Sequence, residues 1–433
     1  MTTAAPTVLL NQIEVRLVEE PRRDRSQVKA RTETGARLVR LAEELGPTMA
    51  ECAGEHDREG TYPFEAIEAL KAAGYFVAPF DESLGGLGVT SVHDLALASS
   101  RLAHFDPSVA IGVNMHLSVT GNMARRWRMA KASGNERRLG VMTAMIREVV
   151  DEGLVIATAS SEANQHLTRP NTTAVRTDDG WLVNGHKIFA TMSPAADLFY
   201  VAVRFEDGDG QEMYGWARVP ARAPGVVINY DWDALGMRAS GSHSLTLTDV
   251  SIPDLALPGG FSTGVLTPGY IEGNLTAGLY HAAACMGIAE AAHTLVAGSL
   301  IHKRERGATL RASEATGLAE NAIELSAMRA SVSRAGTMID DCYEEYPASD
   351  VPFEEALTLF AEVQATKAFI TDIAPRVVDR ALALSGGAGF MNTHPLSRAY
   401  RDVRAGAFMH PLGANRALEF ISQVALGVVP DLS

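Results

Sequence analysis

Apolar and polar positions fall into three regimes along the chain. Residues 1–28 mix Pro, Arg and Glu without a period and read as a tail or an arm laid on a neighbouring subunit. From Ala30 the apolar residues recur at helical spacing: Leu38, Leu41, Ala42, Leu45 and Met49, then Phe64, Ile67, Leu70 and Ala73. Helical runs resume over Val92 to Ala103 and Ser108 to Trp127. The glycines of Gly85-Gly86-Leu87-Gly88 between them lack the spacing of a phosphate loop and predict a tight inter-helix turn.

From residue 153 to about 255 the pattern changes to short strands and turn residues. Thr172 to Arg176, the turn Asp178-Asp179-Gly180, Trp181-Leu182-Val183 and a second turn at Asn184-Gly185 predict consecutive hairpins. The polar loops Ser160 to Asn164 and Phe189 to Ser193 would then meet at one sheet edge, where a flat aromatic cofactor could lie. Beyond Thr267 four helical stretches follow: Gly273 to Lys303, Glu314 to Met338, Phe353 to Ser385 and Pro411 to Val428. Their apolar stripes predict a four-helix bundle, with a kink at Pro375. The acidic run from Asp340 to Asp350 reads as a solvated loop. The boundaries are a tail at 1–28, a helical domain at 29–152, a β-domain at 153–258 and the bundle at 259–433.

Composition narrows the partners. At 433 residues, with 46% hydrophobic and 21% charged residues, the chain has room for two or three cored domains. A net charge of −14 argues against nucleic acid, which selects a basic face. No apolar run approaches the roughly 18 residues of a membrane span. Cys52, Cys285 and Cys342 have neither metal-ligand spacing nor a disulfide pattern, so the expectation is a reduced, cytoplasmic protein without a metal.

One motif carries chemistry. The run Gly180-Trp181-x-x-Asn184-Gly185-x-Lys187-x-Phe189-x-Thr191, followed by Ala196-Asp197, resembles the central domain of the acyl-CoA dehydrogenase superfamily. The segments Trp232 to Ser242, Tyr400-Arg401-Asp402 and Gly386-Gly387-Ala388-Gly389 match further superfamily signatures. The resemblance implies an α+β fold: an N-terminal helical domain, a central antiparallel β-domain and a C-terminal four-helix bundle. It also implies a flavin held on the two loops, and a homotetramer or homodimer. Ser161, Phe189 and Thr191 would contact the ring. Arg304 and the turn Gly386, Gly387 and Gly389 would serve the cofactor tail, FAD or FMN.

The dehydrogenases use a glutamate as general base. The matching position here is His410, the alternative position on the first bundle helix is Ala277, and the usual Gly-Ser-Asp run is replaced by Asn164-Gln165-His166-Leu167. These departures resemble the two-component monooxygenases of the superfamily. In that branch a reductase supplies reduced flavin, O2 adds to form a C4a-hydroperoxide, and a small aromatic, sulfur or amine substrate is oxygenated. Imidazole can donate, accept or carry charge near neutrality, so His410 and His116 are candidate catalytic groups. Asn164 and Thr191 are candidate donors, and Tyr280 and His281 are possible lining residues. Two rivals stand beside this reading: an acyl-CoA or acyl-carrier dehydrogenase with His410 as base, and a non-catalytic flavin-binding relative.

Overall fold

The computed structural model describes residues 27–164 and 166–430; all but two residues of the expected tail or arm lie outside them. Five helices come first: α1 (Glu33–Glu59), α2 (Phe64–Ala72), α3 (Val92–Phe105), α4 (Pro107–Ala132) and α5 (Glu136–Glu152). Local chemistry sets their ends. Thr32, Ser91, Asp106 and Asn135 cap α1, α3, α4 and α5 with side-chain acceptors for the first free N–H groups. Eight strands follow: β1 (Ile156–Ala159), β2 (Thr173–Thr177), β3 (Gly180–Ala190), β4 (Leu198–Glu206), β5 (Glu212–Pro220), β6 (Val226–Ile228), β7 (His243–Ile252) and β8 (Phe261–Ser262). The chain closes with α6 (Pro268–Glu305), α7 (Ala312–Glu345), α8 (Phe353–Ser385), α9 (Pro395–Asp402) and α10 (Ala414–Ala425).

The strands form one sheet in the order β6-β7-β3-β2-β4-β5-β8, mostly antiparallel, with β1 beside β4 in parallel. Its apolar face has a core of its own, built on Trp181, Val183, Phe199, Val201 and Leu245. The larger core joins the N-terminal helices to the bundle: α6 packs on α3, α4, α7 and α8 at once. This explains the composition of α6. By length and composition it could cross a membrane, yet its Ala- and Gly-rich middle is buried among other helices.

Three local expectations change. The Asp-Gly turn joins β2 to β3 as predicted, but Asn184-Gly185 is no turn, because β3 runs straight through it. Asn184 exchanges hydrogen bonds with Asp249 on β7 (2.8 and 3.0 Å), and the β3–β7 register shifts there. Gly185 is needed for close approach, since a Cβ would lie 2.2 Å from the Thr172 hydroxyl. The acidic run is helical to Glu345, because Asp340 is buried and accepts from the Ser91 hydroxyl and the Val92 N–H, 2.6 Å each. The last stretch is not one helix from Pro411. α9 and a 3-10 turn at Val403–Phe408 precede it, and α10 begins at Ala414.

Candidate active site

A cleft of about 600 Å³ opens where α4, α5, the sheet edge, α6 and the segment 401–410 meet. Its β side is the pair of loops expected from the sequence. Ser160, Ser161, Phe189, Thr191 and Ser242 line it, and the Ser161 carbonyl accepts from the Ile188 N–H at 2.9 Å, joining the loops. Beneath them lies a buried fastening. Lys187 donates to Glu162 at 2.5 Å, while Glu162 also accepts from Thr172 N–H (2.8 Å), Thr172 Oγ1 and Asn171 N–H. Burial opposes ionisation of Glu162, but the Lys187 charge and these donors outweigh it and hold the carboxyl below its ordinary value. The lysine of the motif therefore secures the first loop to β3.

The second loop and the segment 232–242 beside it carry backbone strain. Phe189, Met192 and Met237 have φ of 57°, 69° and 53°, a region side chains rarely adopt. Tertiary bonds impose it: Met192 N–H donates to the Ser240 carbonyl (2.9 Å), and Met237 N–H to Asp402 (2.6 Å). Phe189 points outward, 58% exposed at the cleft and edge-on to Trp232 with ring centres 6.0 Å apart. Thr191 Oγ1, Ser242 Oγ and Ser240 Oγ form a hydroxyl chain at 2.9 and 2.6 Å. Two aromatic rings presented at the cleft and a row of hydroxyls with rotatable protons fit a planar, polar-edged ring system.

The opposite wall comes from the helices. α4 and α5 contribute Met115, Val119, Met123, Met142 and Met145, a polarisable apolar surface. α6 contributes Asn274, Ala277 and His281, spaced along one face. Asn274 Nδ2 donates to the Tyr270 carbonyl (2.8 Å), so its Oδ1 accepts, and His410 Nε2 donates to it at 2.7 Å. Burial, then the nearby Lys367 charge, pull His410 down to about 4; at neutral pH it is uncharged, with the Nδ1 lone pair uncommitted among the described residues. Lys367, buried on α8, collects the carbonyls of Met409, Leu412 (2.7 Å) and His410 (3.4 Å), pinning the segment that carries the histidine. The cleft has three arginines in its lining, Arg126, Arg401 and Arg404, and no aspartate or glutamate among the described residues.

The sequence-predicted residues divide accordingly. Ser161, Phe189, Thr191 and His410 come together at the cleft, and His281 lines it while Tyr280 does not. His116 does not reach it. Its ring is buried, with Nε2 on the Phe76 carbonyl (2.9 Å) and Nδ1 accepting from Ile156 N–H (3.0 Å), so both nitrogens are spent joining helices to sheet. Asn164 sits at φ 57° on an exposed turn and is not among the lining residues. Arg304 and the Gly386-Gly387-Ala388-Gly389 turn also lie outside the cleft. Arg304 is 23 residues beyond His281 on α6, about 35 Å away at 1.5 Å per residue. Asn274 and Lys367 went unread in the sequence. The signal was there: each is a polar residue among the buried positions of an otherwise apolar helix.

With this geometry in place, the class is clear: the chain belongs to the acyl-CoA dehydrogenase family of flavin-dependent oxidoreductases. It matches the acyl-CoA dehydrogenase N-terminal domain over residues 38–128, the middle domain over 156–250 and the C-terminal domain over 279–411. Among individual proteins it is similar to the amino sugar nitrososynthase DnmZ of Streptomyces peucetius, 31% identical over 93% of this chain and 96% of that one. It is also similar to the putative acyl-CoA dehydrogenase YdbM of Bacillus subtilis (strain 168), 32% identical over 87% of this chain and 92% of YdbM. The structure of KijD3 in complex with FMN and dTDP-3-amino-2,3,6-trideoxy-4-keto-3-methyl-D-glucose superimposes with a TM-score of 0.84 at 29% identity, covering 94% of this chain and 97% of KijD3.

Proposed function

We propose that the protein is a two-component flavin monooxygenase that oxygenates the amine nitrogen of a small, phosphorylated amino sugar. The observation that carries this reading is the cleft lining. An α-proton abstraction from a thioester needs a positioned base, ordinarily a carboxylate, and the cleft offers His410 and no carboxylate among the described residues. The similarity to a nitrososynthase and to KijD3, a protein solved with FMN and an amino sugar nucleotide, supports the nitrogen and favours FMN over FAD. Arg404, stacked on Tyr400, suits a phosphate of cofactor or substrate, whereas Arg401 and Arg126 are paired with Asp57 and Asp350.

Ser161, Phe189 and Thr191 would hold the flavin ring. Bound and reduced, the flavin supplies two electrons to O2, so that one oxygen atom goes to the substrate and the other leaves as water. The protein's own part is threefold. The methionine wall keeps water from the reacting atoms. The Thr191 hydroxyl offers a donor beside the ring site. The Nδ1 of His410 accepts a hydrogen bond from the neutral amine and so orients the nitrogen lone pair that is oxygenated. Arg304 and the Gly386 to Gly389 turn would serve a cofactor only in a second copy of the chain, because they lie far from the cleft of their own.

The test supplies the protein with a flavin reductase, FMN, NADH and 18O2, and offers dTDP-3-amino-2,3,6-trideoxy-4-keto-3-methyl-D-glucose. Mass spectrometry should show 18O on the sugar nitrogen, with most turnover lost in His410→Ala while FMN binding persists. Bleaching of oxidised flavin by any member of an acyl-CoA panel without O2, and no 18O in the sugar, would replace this reading with the dehydrogenase.

A further inference from the structure

His281 stands one helical turn beyond Ala277 on the stripe that begins with Asn274. It is only 3% exposed, yet it lines the cleft, and neither ring nitrogen has a hydrogen-bond partner among the described residues. The two nitrogens differ. Nδ1 is fully enclosed with no partner, which leaves Nε2 as the atom that meets the cleft. Sealing an N–H away from any acceptor costs more than sealing a lone pair. The proton of the neutral ring therefore sits on Nε2, facing the cleft. Burial, followed by the charge of Lys367, keeps the ring well below its ordinary range and so uncharged.

His410 presents the opposite arrangement. Its Nε2–H is committed to Asn274, so its cleft-facing capacity is the Nδ1 lone pair. We propose that His281 is a further substrate-contacting residue, its Nε2–H donating into the cleft while His410 Nδ1 accepts, so that the two imidazoles select a polar group that is donor and acceptor at once. A neutral primary amine, a hydroxylamine or a hydroxyl satisfies both rings. A thioether or a tertiary amine, with no proton to give, leaves His410 unpaired. The inference rests on the substrate occupying this cleft, as in the preceding reading, and it narrows the substrate class to groups bearing N–H or O–H.

The test needs neither flavin nor turnover. Trp216 and Trp232 line the cleft, so binding of phenol and of toluene can be titrated by tryptophan fluorescence in the full chain. One net hydrogen bond is worth roughly 3- to 10-fold in affinity. His281→Leu should lower the phenol-to-toluene affinity ratio by about that factor, and His281→Gln, which keeps a donor, should restore part of it. Nitrogen-15 NMR of the histidine-labelled wild type reads the proton directly and covers the case in which His281→Leu does not fold. A proton on Nδ1 of His281, or an unchanged ratio in a folded His281→Leu, overturns the proposal. Loss of phenol preference without any oxygenase activity would leave His281 as a ligand contact and refute only the reaction assigned to the site.

Discussion

Replacing His116 with phenylalanine separates a structural histidine from a catalytic one. The aromatic ring, edge-on to Phe76 with centres 4.7 Å apart, is kept in kind, but two hydrogen bonds vanish. The Phe76 carbonyl loses its donor and the Ile156 N–H its acceptor, both in the interior. A buried polar group left unsatisfied costs about 1–3 kcal/mol, so the loss should lie between about 2 and 6 kcal/mol. A second arm comes from pH. Burial, chiefly, holds His116 at about 3 in the folded protein, against about 6.5 in the unfolded chain. Between these values the unfolded chain binds the extra proton, so stability is whole above pH 6.5 and is lost as pH falls towards 3. The slope is at most about 1.4 kcal/mol per pH unit, or about 2 kcal/mol at pH 5 from this residue. Urea denaturation at pH 7.5 and pH 5 should therefore show a large loss in His116→Phe at the higher pH and a shallower pH dependence than wild type. Turnover per folded molecule should be nearly unchanged. A variant of wild-type stability with abolished turnover would refute this assignment and return His116 to the chemistry.

Lys367→Met should lower stability by about 2–6 kcal/mol, about 1–3 for each of the two close carbonyls left without a donor, and should raise hydrogen exchange in residues 409–412, whose carbonyls the ammonium gathers. Lys187→Met should cost a similar amount by stranding the Glu162 charge; the double variant with Glu162→Gln should regain part of it, as read by thermal melting. His410→Asn should bind FMN as wild type does and lose the acid-side stability decline contributed by a neutral imidazole held at about 4. Denaturant midpoints between pH 4 and 7 check this last outcome.

What the sequence disclosed tracks the range of the interactions. The Asp-Gly turn and the two loops that line one side of the cleft depend on residues a few positions apart, and both were readable. Asn184-Gly185 looked like a turn because its partners are Thr172 and Asp249, one before it and the other 65 residues on. The acidic run looked solvated because the groups that Asp340 binds, at Ser91 and Val92, are about 250 residues away. His116 looked catalytic for the same reason: Phe76 and Ile156 each lie 40 residues from it. At the site, His410 and Thr191 were legible through the family motif. Asn274 and His281 gained meaning only when α6 was seen to face the segment 401–410.

The Lys187–Glu162 fastening has a consequence for how such enzymes change trade. It makes the cradle for the cofactor independent of whatever chemistry is performed above it. The polar groups of the opposite wall arrive on separate carriers, α6 and the segment after α9. A handful of replacements there can retire one activity and install another while the sheet folds as before. The signature that marks the lineage thus describes mainly the cradle, and the opposite wall of the cleft is written on the helices.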